Sequence, residues 1–120
     1  MNKVVCFIFL TISQMSLAAT SPAEIAAGKK LFEANGCVAC HGADGKADTP
    51  TGKAVNARNF VGDAPEKYKQ GYSEKAIATT IEKGVKGGST GMQPYGSVIK
   101  DPKDRLLLAK FIMSLKESKK

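Results

Sequence analysis

Apolar residues cluster at two kinds of spacing along the chain. Val4 to Leu10 forms one unbroken apolar run, which Thr11, Ser13, Gln14 and Ser16 then interrupt. Beyond it, apolar positions return only in stripes three and four residues apart, the period of a helix buried on one side. Ile25, Gly28, Leu31 and Phe32 make the first stripe. Ser21-Pro22-Ala23-Glu24 precedes it as a start signal, with Ser21 as cap and Glu24 placed to complete a capping box, and Asn35-Gly36 stops it near Ala34. Ser73 caps a second helix from Glu74 to about Lys83, whose Ile77 and Ile81 share a face before Gly84 ends it. Asp101-Pro102-Lys103-Asp104 opens the last, with Leu107, Leu108, Phe111, Ile112 and Leu115 as its apolar side and Lys116, Lys119 and Lys120 toward the negative pole of its dipole.

Between the stripes the periodicity is lost. Gly42 to Gly71 is rich in Gly, Asp, Pro, Asn and Lys, which predicts an irregular loop with at most a helical turn near Pro65 to Lys69. Gly84 to Ser97 contains five glycines and Pro94, too irregular for helix or strand. No segment reads as a convincing strand, so the expected fold class is all-α: three main helices joined by two irregular connections. A loop as long as the first is unusual in a compact domain unless it wraps something.

The leading apolar run, with Lys3 ahead of it and small residues at Ser16-Leu17-Ala18-Ala19, reads as a cleaved export signal over 1–19, followed by one domain over 20–120. The run is short for a bilayer span, so no stable membrane insertion is expected after cleavage behind Ala18 or Ala19. Cys6 leaves with the leader, and Cys37 and Cys40 remain. Only Lys3 of the 18 Lys and Arg lies in the leader and all 11 Asp and Glu lie beyond it, so the mature formal charge is +6. That charge suits acidic docking surfaces on protein partners, with a solvated lysine-rich face that keeps the protein soluble as the competing reading. Nucleic acid is not an expected partner, because the lysines are dispersed and the segment is exported.

Cys37-Val38-Ala39-Cys40-His41 is a C-x-x-C-H motif of the kind read as c-type haem attachment. In a helical turn, residues three apart lie on one face, so two thiols can meet two vinyl groups of one haem while the next residue turns its imidazole toward the iron. Two other chemistries use such residues. A thioredoxin-like dithiol expects a preceding strand in a βαβ pattern, whereas a helix precedes this motif. A zinc site would have to complete its ligands with a carboxylate such as Asp44 or with water, since His41 is the only histidine and no further cysteine remains.

With the motif set between Gly28-Lys29-Lys30-Leu31-Phe32 and Phe111-Ile112-Met113-Ser114-Leu115-Lys116, the mature chain resembles the class I monohaem cytochromes c. The resemblance implies that the last helix crosses the first closely at Gly28, with Phe111 against it. It implies one covalently bound haem c, held through Cys37 and Cys40, with iron ligated by His41 and by Met92 in Gly91-Met92-Gln93-Pro94. Met113 falls in the apolar stripe of the last helix and reads as core. Gln93 departs from the family's usual proline directly after the methionine. The resemblance further implies that the carbonyl of a loop proline orients the imidazole, and Pro50 reads either as that residue or as an ordinary turn proline. Arg58, Lys53 and Tyr72 are candidates for pairing with haem propionates, with a solvated surface role as the competing reading. The expected function is single-electron transfer between periplasmic or membrane redox partners by a monomer rather than by an enzyme. The alternative is a haem enzyme or gas sensor whose sixth coordination position is open.

Overall fold

The computed structural model describes residues 20–87 and 91–117, so the predicted leader over 1–19 lies outside the described residues. Five helices follow in order: α1 Pro22–Ala34, α2 Val38–His41, α3 Pro50–Ala54, α4 Glu74–Lys83 and α5 Pro102–Glu117, with a 3₁₀ turn at Pro65–Lys67. The fold is all-α, and the one β-type pairing among the described residues is a single antiparallel bridge between Val85 and Met92. None of the helices among the described residues is long and apolar enough to cross a membrane.

The three periodic stripes form α1, α4 and α5, with the starts that their caps predict. Ser21 Oγ accepts from Glu24 N at 3.2 Å, and Ser73 Oγ accepts from Ala76 N at 3.1 Å. The capping box is not completed: the Glu24 carboxylate instead accepts from Lys110 Nζ at 2.6 Å, tying α1 to α5. The carboxylate that could have closed its own helix start meets a full positive charge on the neighbouring helix instead of the partial charge of a peptide N–H.

Helices α1 and α4 both pack on α5. At the α1–α5 crossing a Cβ on Gly28 would overlap the Leu107 carbonyl oxygen and sit 2.7 Å from Phe111 Cβ, so only glycine lets the backbones meet there. Phe32 and Leu108 are fully enclosed at this crossing. Phe111 lies against Gly28, as the resemblance implied, and its ring meets that of Phe32 edge to face at 5.2 Å. Ile77 and Ile81 of α4, with Ile99, Ala109 and Ile112, complete the core. Met113 packs against that cluster but is only partly buried.

The long connection is less irregular than its composition implies. The 3₁₀ turn at Pro65–Lys67 falls where a turn was expected, but α3 was not. Thr49 caps α3, accepting from Gly52 N at 2.9 Å, and Pro50 occupies its first turn. Arg105 of α5 is another unforeseen feature, buried at 8% exposure. Its guanidinium donates to the Ile99 and Lys100 carbonyls at 2.6 and 3.1 Å and lies 3.9 Å from Glu82, which joins α4, α5 and the turn before α5.

Candidate haem-attachment site

Cys37, Cys40 and His41 share the single helical turn that their spacing predicts. Cys37 is the N-cap of α2 with helical backbone angles, and His41 N donates to Cys37 O at 2.9 Å. Gly42 ends the turn at φ 76°, and Ala47 N returns to the His41 carbonyl at 2.8 Å. Helix α3 secures the turn from the other side. Thr49 Oγ1 donates to Ala39 O at 2.8 Å and to Cys40 O at 3.3 Å, while Gly52 packs so tightly on the Cys40 carbonyl that no Cβ fits there. Carbonyls at a helix C-terminus need partners of this kind.

The imidazole is fixed in both tautomer and plane. His41 Nδ1 lies 3.0 Å from the Arg58 carbonyl oxygen. A carbonyl can only accept, so Nδ1 carries the proton and Nε2 keeps its lone pair for a metal. The ring stacks on Phe60 at 4.3 Å with planes 19° apart, and Phe32 lies 6.4 Å away. Burial lowers the His41 pKa, which favours the neutral imidazole that metals bind. The Cys37 thiol is pushed up, by burial first and by the neighbouring Cys40 after that, so as a free thiol it stays protonated. Both cysteines are free and half-buried.

The orienting carbonyl belongs to Arg58, not to Pro50, which is engaged in starting α3. The candidate propionate partners separate. Lys53 is exposed and paired with Asp48 at 2.8 Å. The Arg58 guanidinium binds Asp63 at 3.1 Å and lies over the Tyr68 ring, whereas Tyr72 packs edge to face on Tyr68 and under Lys116. The sequence reading missed Phe60 and Tyr68, whose only signal was that they are isolated aromatics in a polar loop. Tyr68 Oη is buried without a hydrogen-bond partner, and burial pushes its pKa up to about 12. A buried phenol left unpaired costs about 1–3 kcal/mol, and an acceptor such as a haem propionate would remove that cost. This orphaned hydroxyl, on the ring that lies under the Arg58 guanidinium, and a turn bearing a thiol pair and an imidazole already in its metal-binding tautomer fit haem.

Met92 is partly buried and packs against the same core cluster as Cys37. Its backbone exchanges two hydrogen bonds with Val85, at 2.8 and 3.0 Å. Gln93 is exposed and its Nε2 donates to Tyr95 Oη at 3.2 Å, so the inserted residue points away from the core. Gly84 allows the close approach: a Cβ there would lie 2.5 Å from Met92 O.

A small all-α domain with a C-x-x-C-H turn after its first helix, crossed by its last, is a covalent haem carrier. The family model for cytochrome c matches residues 25–116, and the chain belongs to that family. Membership carries covalent attachment of haem c and haem-based electron transfer. A search of the curated proteins finds no match.

Proposed function

We propose that the protein is a class I, monohaem electron carrier, with haem c joined through Cys37 and Cys40 and its iron held by His41 Nε2 and Met92 Sδ. The observation that carries this reading is the His41 hydrogen bond to Arg58 O, which leaves Nε2 as the free ligand atom on the turn that also bears both thiols. Haem, when bound, supplies a one-electron ferric/ferrous couple, and a sulfur ligand favours the ferrous form. The chain's own part is to hold its ligands in place through both oxidation states. Phe60, Phe32 and the Arg58 carbonyl fix the imidazole, Val85 and Gly84 fix the Met92 backbone, and Tyr68 offers a proton to a propionate.

In the polar hollow lined by Lys46, Lys53, Arg58, Asp63 and Lys67 most of the cations are already paired with carboxylates, so it is the excess of lysine over the mature chain as a whole that favours acidic surfaces on the donor and acceptor proteins. Residues 1–19 serve as an export signal on this reading, placing the mature monomer in the periplasm. Intact-mass and peptide spectrometry of protein purified from an exporting host tests the assembly. The expected species starts at Ala19 or Thr20 and carries one haem on the peptide holding Cys37 and Cys40. The ferric protein should show the weak red-edge band of sulfur-ligated haem. A water-ligated spectrum would overturn Met92 ligation and favour an open-site enzyme or sensor.

A further inference from the structure

The peptide group between Arg58 and Asn59 is bound at both ends. Its carbonyl accepts from His41 Nδ1 at 3.0 Å, and its N–H donates to Asp63 Oδ2 at 3.1 Å. The same Oδ2 accepts from Arg58 Nη1 at 3.1 Å, so the carboxylate grips both the peptide and the side chain of the residue whose carbonyl meets the imidazole. Asp63 is itself held from several directions. Lys67 Nζ donates to Oδ1 at 3.1 Å, Lys116 Nζ of α5 donates to its carbonyl at 2.5 Å, and its own N–H returns to Asn59 O at 3.0 Å. Its side chain is only 17% exposed. Phe60, on which the imidazole stacks, lies in the loop spanned by these bonds.

We propose that Asp63 is a positioning residue for His41, acting through the Arg58–Asn59 peptide as a carboxylate–peptide–imidazole relay. A carboxylate on the N–H end of a peptide increases the negative charge on its oxygen, because hydrogen bonds in series polarise one another. That oxygen then holds the Nδ1 proton more firmly, which fixes the ring and makes Nε2 more electron-rich toward a metal. The proposal rests on His41 being the iron ligand.

Proton exchange at His41 Nδ1, measured by NMR in the ferrous haem-loaded protein and taken relative to the buried Leu108 amide, tests it. Loss of general stability speeds both protons together, so the ratio isolates the relay. Asp63→Asn should raise the ratio about tenfold or more, the scale of one charge-assisted hydrogen bond, and should raise the reduction potential. Arg58→Met keeps the carbonyl but removes one grip, and should move the ratio in the same direction if Asp63→Asn does not yield folded protein. Asp48→Asn removes the same charge from an exposed pair that touches neither group, and should leave the ratio unchanged. A ratio within about twofold of wild type in every folded Asp63 and Arg58 variant, or an equal rise in Asp48→Asn, would overturn the relay. A wild-type protein with no Nδ1 proton on His41 would instead overturn its coordination, and the relay with it.

Discussion

Replacing Gly84 by Ala should damage the distal side of the site far more than the same change at Gly36, although both glycines sit at positive φ. Gly84 has φ 71° and ψ −176°, a conformation occupied almost only by glycine and costing other residues about 1–3 kcal/mol. Its new Cβ would also lie 2.5 Å from Met92 O, 2.7 Å from Pro94 N and 2.9 Å from Gln93 C. These are backbone atoms, so no side chain can swing aside. Overpacking of this kind adds about 1–3 kcal/mol, for a total of about 2–6 kcal/mol. At Gly36, φ is 74° and nothing lies within 4 Å of the added carbon, leaving only a conformational cost of about 1–2 kcal/mol. In a domain of about 100 residues each kcal/mol lowers Tm by about 4–8 °C. Thermal unfolding of the ferric haem-loaded proteins, followed by helical circular dichroism and by the red-edge band, separates the two effects. Gly84→Ala should lose the band below the helical transition and bind added imidazole more readily, whereas Gly36→Ala should keep the band until the helices melt. Equal losses of Tm with the band intact in both variants would refute the assignment of Gly84 to the support of Met92.

On the proposed ligation, Met92→Ala should leave haem attached but open the iron to added ligands and lower the potential, as spectra and potentiometry would show, because it removes a ligand that prefers ferrous iron. Met113→Ala should spare the spectrum and cost about 2 kcal/mol in denaturant unfolding, the low end for a large-to-small change, because the side chain is only partly buried. Asp63 is partly buried, which alone would raise its pKa, but bonds from Lys67 and the Asn59 amide and the charge of Arg58 outweigh this and hold it below the ordinary 3.8. Its stabilisation is therefore complete above that value and lost as pH falls through the lower folded value, so Asp63→Asn should flatten the acid limb of stability against pH. Electron transfer to an acidic partner should slow between low and physiological salt, where the screening length is about 8 Å, and flat stopped-flow rates would argue for apolar docking.

Side-chain signals made the frame readable, and main-chain chemistry hid much of the site. Ser21, Ser73 and the stripe from Leu107 to Leu115 are side-chain facts, and α1, α4 and α5 follow from them. The motif turn was legible for the same reason, since its spacing is a helical spacing. The Arg58 carbonyl has no residue type to betray it, because any residue can present one; of the two readings of Pro50 the ordinary turn proline is the one that holds. Helix α3 spans only Pro50–Ala54, too short for an apolar face, and its docking depends on Gly52 having no side chain at all. Glu24 shows the complementary difficulty, for its choice between its own helix start and Lys110 is settled by a residue far away in the chain.

Peptide groups tie the segment carrying Met92 to α4 and the residues after it: Val85 pairs with Met92, Tyr95 N reaches Ile81 O at 2.9 Å and Gly96 N reaches Glu82 O at 3.1 Å. Main-chain bonds of this kind do not depend on which side chain stands at an exposed position, so a change at Gln93 gives up its bond to Tyr95 Oη but not the pairing that holds the Met92 backbone. Mutation can therefore rewrite the exposed side of this segment while its main-chain ties stay as inherited. A library randomised at Gln93 should yield haem-loaded variants that share the wild-type spectrum.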